Sequence, residues 1–395
     1  MEQPLVSDRP IAVFELWRRG AVLALLAGYF GLFGVIIGAQ GVLWAELVST
    51  LQLSKSVFGA VQLVSPLLSV MLLIGGGQLA GWAGKKWLAL VSLALLAASN
   101  LALAGAGGLV GLGGALLLAG AGNALLEMSM NGATLDWERI TGRRVMNLMH
   151  AGFSGGAVLG ALAAGLLLGL GWHYSQVLLA LALLCGLVLL ATLPVRYPPA
   201  EAASLSLGGP GATLRLLLGQ RVLIVLAAIC VLGIVGESFA NLWSVIYLHE
   251  LGAAALVGGA AFALFNAAMF AGRLGNSWLV ERRGASMSLL ASGMGMLLSA
   301  LLLLLPGSVP LAIVAFMLLG VAVAGIVPTV LSAGARLTPG NSATLTGGIM
   351  AAAYSGFILC PPLTGWIADR FSLQAALIAV GLSGLIVLWL ARRVT

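Results

Sequence analysis

The sequence predicts an all-α membrane protein: twelve transmembrane helices arranged as two six-helix halves. Three observations carry that expectation. Hydrophobic residues make up 61% of the 395-residue chain and charged residues only 8%, against about 25% charged in a soluble domain. The apolar runs are about as long as the ~20 residues a bilayer crossing requires. The basic residues also fall on alternate loops, as they do when they mark one side of a membrane.

Each crossing is an apolar run bounded by charged or Gly/Pro-rich breaks. The first is expected at 21–45, after Arg18-Arg19-Gly20, and the second at 57–82, between Lys55 and Lys85-Lys86. The third and fourth, 87–106 and 109–135, are parted by Gly107-Gly108, and the polar run from Asp136 to Arg144 ends the fourth. The fifth and sixth are expected at 146–171 and 175–194. After a long polar connection come 222–248 and 255–277, then 286–305 beyond Glu281-Arg282-Arg283-Gly284. The last three are 310–333, 343–366 and 372–391. The organisation expected is therefore 1–195, a linker at 196–221 and a second half at 222–395. Pro198 to Gly211, PPAEAASLSLGGPG, forms the linker's core.

Sixteen of the nineteen Lys and Arg residues lie at the termini and on the even-numbered loops; Lys55 and Arg370 lie on odd ones and Arg273 near the inner end of the eighth crossing. The positive-inside rule then places both termini in the cytoplasm of a multi-pass cell-membrane (inner-membrane) protein. The net charge of +7 is this asymmetry, so no nucleic-acid partner is expected. Cys185, Cys230 and Cys360 all fall in apolar runs, which leaves no disulfide framework or metal cluster. No cleavable signal is expected, because Glu2, Asp8 and Glu15 interrupt the leader and the following run is too long. The phosphate-binding Gly-x-x-x-x-Gly-Lys-Ser/Thr pattern is missing, which argues against an ATP-driven pump. Neither enzyme activity nor a cofactor is expected.

The fourth crossing carries the most informative residue. Asn123, Glu127 and Asn131 recur at intervals of four and so share one helix face. A carboxylate inside a membrane span costs roughly 2.5–3.5 kcal/mol on insertion scales, and it faces a bundle interior or a wet cavity. The alternative is a glutamate kept for packing alone. Glu237 in the seventh crossing repeats the arrangement, with Asn241 and Ser244 on its face. Two such carboxylates suit proton coupling, because burial and substrate contact move a carboxylate's proton affinity in opposite directions. The alternative for Glu237 is a hydrogen-bonded latch between the seventh and eleventh helices.

Asn266 and Tyr354 are expected on a cavity wall, since polar groups avoid lipid. Trp243 and Tyr247 either stack on a ring-shaped substrate or, for Tyr247 above all, anchor at the interface. His150 either relays protons or caps the fourth helix. Apart from His150 and Arg273 the spans hold no basic side chain, which favours a neutral or cationic solute over an anion.

Both halves carry a related loop after their second crossing: Gly77-Gln78-Leu79-Ala80-Gly81-Trp82-Ala83-Gly84-Lys85-Lys86, and Gly272-Arg273-Leu274-Gly275-Asn276 followed by Glu281-Arg282-Arg283-Gly284. The first loop resembles the signature of the major facilitator superfamily, Gly-x-Leu-x-Asp-Arg-x-Gly-Arg-Arg, with Gly81 standing where the pattern has its Asp. That resemblance implies gating roles for Gly77, Gly81, Lys85 and Arg273. With no acid at Gly81, Arg273 is expected to latch onto Asp136 or Glu138.

Leu125-Leu126-Glu127-Met128-Ser129-Met130-Asn131 and Gly142-Arg143-Arg144-Val145-Met146-Asn147-Leu148-Met149-His150-Ala151-Gly152-Phe153 are similar to segments of the fucose-permease-like branch and its bacterial relatives. Glu237, Trp243-Ser244, Tyr247-Leu248 and Pro361-Pro362 extend that similarity. In this branch the fourth-span carboxylate is associated with proton coupling, which the resemblance implies for Glu127. The branch's first-span Asp aligns with Gln40 here, so Gln40 is expected at the substrate instead.

The function expected is proton-coupled uptake of a small neutral, sugar-like metabolite by alternating access, by a monomer in the lipid bilayer. Proton-driven efflux of a hydrophobic or cationic compound is the alternative. A non-transporting receptor or scaffold is a remote one, since no long extramembrane segment is offered to a partner.

Overall fold

The computed structural model describes the backbone of residues 13–141, 145–195, 197, 215, 217–305, 307–337 and 342–394. Within these it describes side chains except at 13–19, 73–82, 135, 138–140, 146, 147, 335 and 342–347. Every regular element among these residues is helical. Helix α1 (Val13–Thr50) makes the first crossing. The second is split at Gln62-Leu63 into α2 (Lys55–Val61) and α3 (Val64–Ala83). Then follow α4 (Lys85–Ala104), α5 (Leu109–Thr141), α6 (Met146–Gly169) and α7 (Tyr174–Thr192).

The later crossings begin with α8 (Arg221–Glu250) and α9 (Ala255–Leu304). A straight helix of 50 residues would run ~75 Å, more than twice the ~30 Å hydrocarbon thickness. Gly284 resolves this with φ 83°, a left-handed conformation cheap only for glycine, so α9 makes the eighth and ninth crossings. The tenth comprises α10 (Val309–Ala324) and α11 (Ile326–Leu337), parted at Gly325. The eleventh is α12 (Ser342–Arg370), and the twelfth begins with the single turn α13 (Leu373–Ala376) and continues as α14 (Ile378–Ala391).

Boundaries follow local chemistry. Ser54, Ser308 and Ser372 each cap the first free amides of the helix behind them. His173 and Gln176 form a reciprocal capping box at α7.

Packing within the first six crossings is closest between α1 and α6. A Cβ on Gly34 or Gly38 would run into the backbone of Phe153 or Ala157, and one on Gly156 or Gly160 into Gly31 or Val35. Small residues let membrane helices approach until backbones touch, which replaces the hydrophobic drive that lipid removes. In the later crossings Gly293 and Gly384 do the same between α9 and α14. Between the two groups of helices Gly165 of α6 meets Gly259 of α9, where a Cβ on Gly165 would lie 3.0 Å from the Gly259 Cα.

Lys85, Lys86, Arg282, Arg283, Arg392 and Arg393 mark one end of the bundle, here the basic end. The opposite, far end carries Lys55, Glu250 and Asp369. The start of the linker is tied down: Tyr197 donates to Tyr29 Oη (2.9 Å), which is itself hydrogen-bonded to Thr192 (2.8 Å). Residues 198–214, the expected linker core, lie outside the described residues.

Candidate functional site

The face of α5 bearing Asn123, Glu127 and Asn131 is half-buried and turned toward the second group of helices. Tyr354 of α12 donates its hydroxyl to Glu127 Oε2 at 3.2 Å, and its ring lies against Phe357. This bond joins residues 227 positions apart, one from each half, inside a membrane crossing. The pair is a polar link through the seam, longer than the ~2.5–2.7 Å of a strong charge-assisted O–H···O bond.

Some buried polar atoms among the described residues have no partner. Asn123 Oδ1, Gln62 Nε2 and Ser244 Oγ are buried and make no hydrogen bond. Leaving such a group unpaired costs about 1–3 kcal/mol, which a purely structural helix face would avoid. Asn123 lies one turn from Glu127 on α5. Gln62 lies one turn from Phe58 along the α2 face that meets α12 at Gly59 and Pro361.

The other expected residues divide. Gln40 is turned to α4, donating to Asn100 Oδ1 at 3.4 Å, while Asn100 donates to Leu96 O. Asn131 and Asn241 are half-buried. Asn266 donates to the carbonyl of Phe262 four residues back (2.9 Å). Glu237 is half-buried and has Arg273 as its electrostatic partner, rather than a hydrogen-bonded latch to α12. His150 stacks edge-on against Phe30 (5.1 Å) and also feels the Arg273 charge. His150 and Arg273, one from each half, are both exposed.

Three expectations meet a different arrangement. The Trp243 ring, expected to stack on substrate, has 0% exposure, donates to Thr364 Oγ1 (2.8 Å) and packs edge-on against Phe58 (5.7 Å). It is part of the closed seam, because the indole N–H needs a partner once buried. Tyr247 is buried against Phe316 rather than exposed at an interface. The latch expected between Arg273 and Asp136 is not formed. Asp136 pairs with Lys85 of its own half, whose ammonium also reaches the Gly132 carbonyl, and Arg273 donates to Met269 Sδ. Lys85, at the start of α4, lies against α5 at Gly132 and so reaches Asp136 one turn further on. The Glu138 side chain and the surroundings of Gly77 and Gly81 lie outside the described residues.

At the far end the structure brings together residues that sequence reasoning did not single out. Asp369 accepts from the backbone N–H groups of Lys55 (2.8 Å) and Ser56 (2.7 Å), and Lys55 Nζ pairs with Glu250 (2.6 Å). Beneath them Trp44, Phe58 and Trp243 stack in sequence. The one signal available beforehand was that Lys55 breaks the charge rule.

Comparison with known proteins gives this arrangement its context. The family model described as Major Facilitator Superfamily matches residues 21–309 and 238–395, nearly the whole chain. The chain belongs to the Major Facilitator Superfamily. It is 28% identical over 373 residues to an uncharacterised transporter, y4wD, of Sinorhizobium fredii, covering 93% of this chain and 96% of that one. Among solved structures it superposes on a single-substitution mutant of the nucleoside transporter NupG with TM-score 0.83 at 15% identity, covering 95% and 99% of the two chains. On the E. coli fucose:proton symporter FucP in its outward conformation the TM-score is 0.62 at 19% identity, covering 94% and 98%. The protein is thus a superfamily membrane transporter with the all-α, twelve-helix fold.

Proposed function

We propose that this protein is a proton-coupled symporter for a small neutral, polyhydroxylated solute of the sugar or nucleoside kind, working by alternating access with its basic end in the cytoplasm. One observation carries the reading: the Tyr354–Glu127 hydrogen bond, which ties the acid at the centre of the α5 polar face to the opposite half. A proton arriving on Glu127 removes the charge that Tyr354 engages and weakens the bond between them. A solute hydroxyl can then take the place of either partner. Asn123 Oδ1, one turn from Glu127 on α5, offers an unsatisfied acceptor, and Gln62 Nε2 at the end of α2 an unsatisfied donor, a pairing that suits hydroxyl groups, which both give and take hydrogen bonds. Among the described residues no basic side chain is hydrogen-bonded or ion-paired to Glu127 or Tyr354, which accords with a solute lacking negative charge.

The test is uptake into proteoliposomes under an imposed pH gradient, using a panel of radiolabelled neutral sugars and nucleosides, for wild type and Glu127→Gln. Gln keeps the shape and accepts a hydrogen bond but cannot titrate. Wild type is expected to accumulate a panel member only with the gradient. Glu127→Gln should retain counterflow and lose accumulation. Accumulation by the Gln variant at wild-type level would remove Glu127 from coupling. Extrusion in place of uptake would identify an exporter.

A further inference from the structure

We propose that Asp369 is the principal latch of a far-end gate, holding the two halves together by accepting the two backbone N–H groups that α2 itself leaves unpaired. Helix α2 accounts for its other free donors internally. Ser54 Oγ takes the Val57 N–H (3.3 Å) and Ser54 O takes the Phe58 N–H (2.9 Å). Lys55 and Ser56 are the remaining donors, and each finds one oxygen of the Asp369 carboxylate. No side chain of the first half is needed for either bond.

Two further contacts share the same seam. The Lys55 ammonium reaches Glu250 of α8, and Ser56 Oγ donates to Gly365 O at 3.4 Å. The first half therefore presents a cation and two amides, and the second half two carboxylates. The fit is close because glycines stand where the backbones cross: a Cβ on Gly59 would run into the Pro361 carbonyl, and one on Gly365 into that of Lys55. Beneath lies the Phe58–Trp243 contact, which must separate when the far end opens. Opening thus breaks both Asp369 bonds together and exposes the amides to water. Both contacts are solvent-exposed, but the Lys55–Glu250 pair must hold two long side chains in one geometry and contributes little, whereas Asp369 accepts two charge-assisted bonds from backbone groups already fixed by the helix. Asp369, more than Lys55 or Glu250, should set how often the far end opens. This inference rests on the fold and is independent of the solute and coupling ion.

The experiment reads the gate directly in the full chain. Spin labels are placed at Gly107→Cys and Leu305→Cys, both exposed far-end positions on opposite halves; the three native cysteines are buried. Double electron–electron resonance is recorded for this pair alone and combined with Asp369→Ala, Asp369→Asn, Lys55→Ala or Glu250→Gln. Asp369→Ala should raise the open-to-closed ratio roughly tenfold, as expected for loss of charge-assisted bonds. Asp369→Asn, which keeps the shape and one weaker acceptor, should give a smaller rise in the same direction. Lys55→Ala and Glu250→Gln should change the ratio less than either. Unchanged distances for both Asp369 variants would overturn the proposal, as would a larger effect from Lys55→Ala than from Asp369→Ala. Asn preserves the fold if Ala does not, so the ranking remains readable.

Discussion

In the proposed cycle Tyr354 and Glu127 divide one task, Glu127 as the acid that titrates and Tyr354 as the phenol bonded to it. That division predicts how their variants differ. Tyr354→Phe removes the hydroxyl while keeping the ring against Phe357, and it should leave Glu127 able to carry its proton. Counterflow by Tyr354→Phe should remain pH-dependent with its midpoint displaced, whereas Glu127→Gln should make counterflow independent of pH. A Tyr354→Phe profile that overlays wild type would mean the bond plays no part in the cycle. The acid was legible in the sequence because period-four spacing in an apolar run identifies a helix face. Its partner was legible only as a wall residue. Spacing says which side chains share a face, but not which of the other helices that face meets. The same blindness explains Trp243, whose ring suggested a ligand stack and is in fact sealed behind Phe58. Asp369 was invisible for a related reason: its partners are backbone amides 313 and 314 residues away, and backbone donors leave no trace in composition.

At the scale of elements, the apolar runs located the crossings, and the structure altered their form where glycine and proline act. The eighth and ninth crossings are one helix bent at Gly284, the tenth breaks at Gly325, and the second divides at Gln62-Leu63. Hydropathy averages over such breaks because they change backbone direction without changing polarity. The glycine run in α6 illustrates what averaging conceals. Gly155 and Gly156 are neighbours in sequence, yet a Cβ on Gly155 meets nothing within 4 Å and one on Gly156 meets the Gly31 carbonyl. Gly155→Ala should therefore be neutral or raise the melting temperature, since Ala gains about 0.5–1 kcal/mol in a helix interior. Gly156→Val should lower it, by the ~1–3 kcal/mol typical of overpacking. Thermal unfolding of the detergent-solubilised variants, followed by size-exclusion chromatography, distinguishes the two. Equal shifts would mean that α1 and α6 can move apart at no cost.

For the whole molecule the two halves differ in how they are held at each end. Hydrogen bonds, an ion pair and an aromatic stack join them at the far end, and Tyr354 joins them inside the membrane. Toward the basic end His150 and Arg273, one from each half, are both exposed. Rocking of one half on the other about a central site needs somewhere to turn, and the Gly165–Gly259 crossing is placed to serve. Two hydrogens stand there in place of side chains, so nothing interlocks. Packed side chains would have to change rotamer each time the halves tilted, and cores resist that because they are bistable rather than pliable. A contact between bare backbones behaves instead like a smooth bearing, supporting the halves in every position and favouring none. Gly259→Leu should accordingly slow exchange between the two accessible states more than it disturbs solute affinity, seen as a fall in counterflow rate at nearly constant half-saturation. A matching loss in affinity would mean the glycine pair shapes the site and not the turning. The smoothness of that bearing implies that the resting position is chosen elsewhere, by Asp369 at one end and Glu127 in the middle, each a single carboxylate set against a hinge that has no preference of its own.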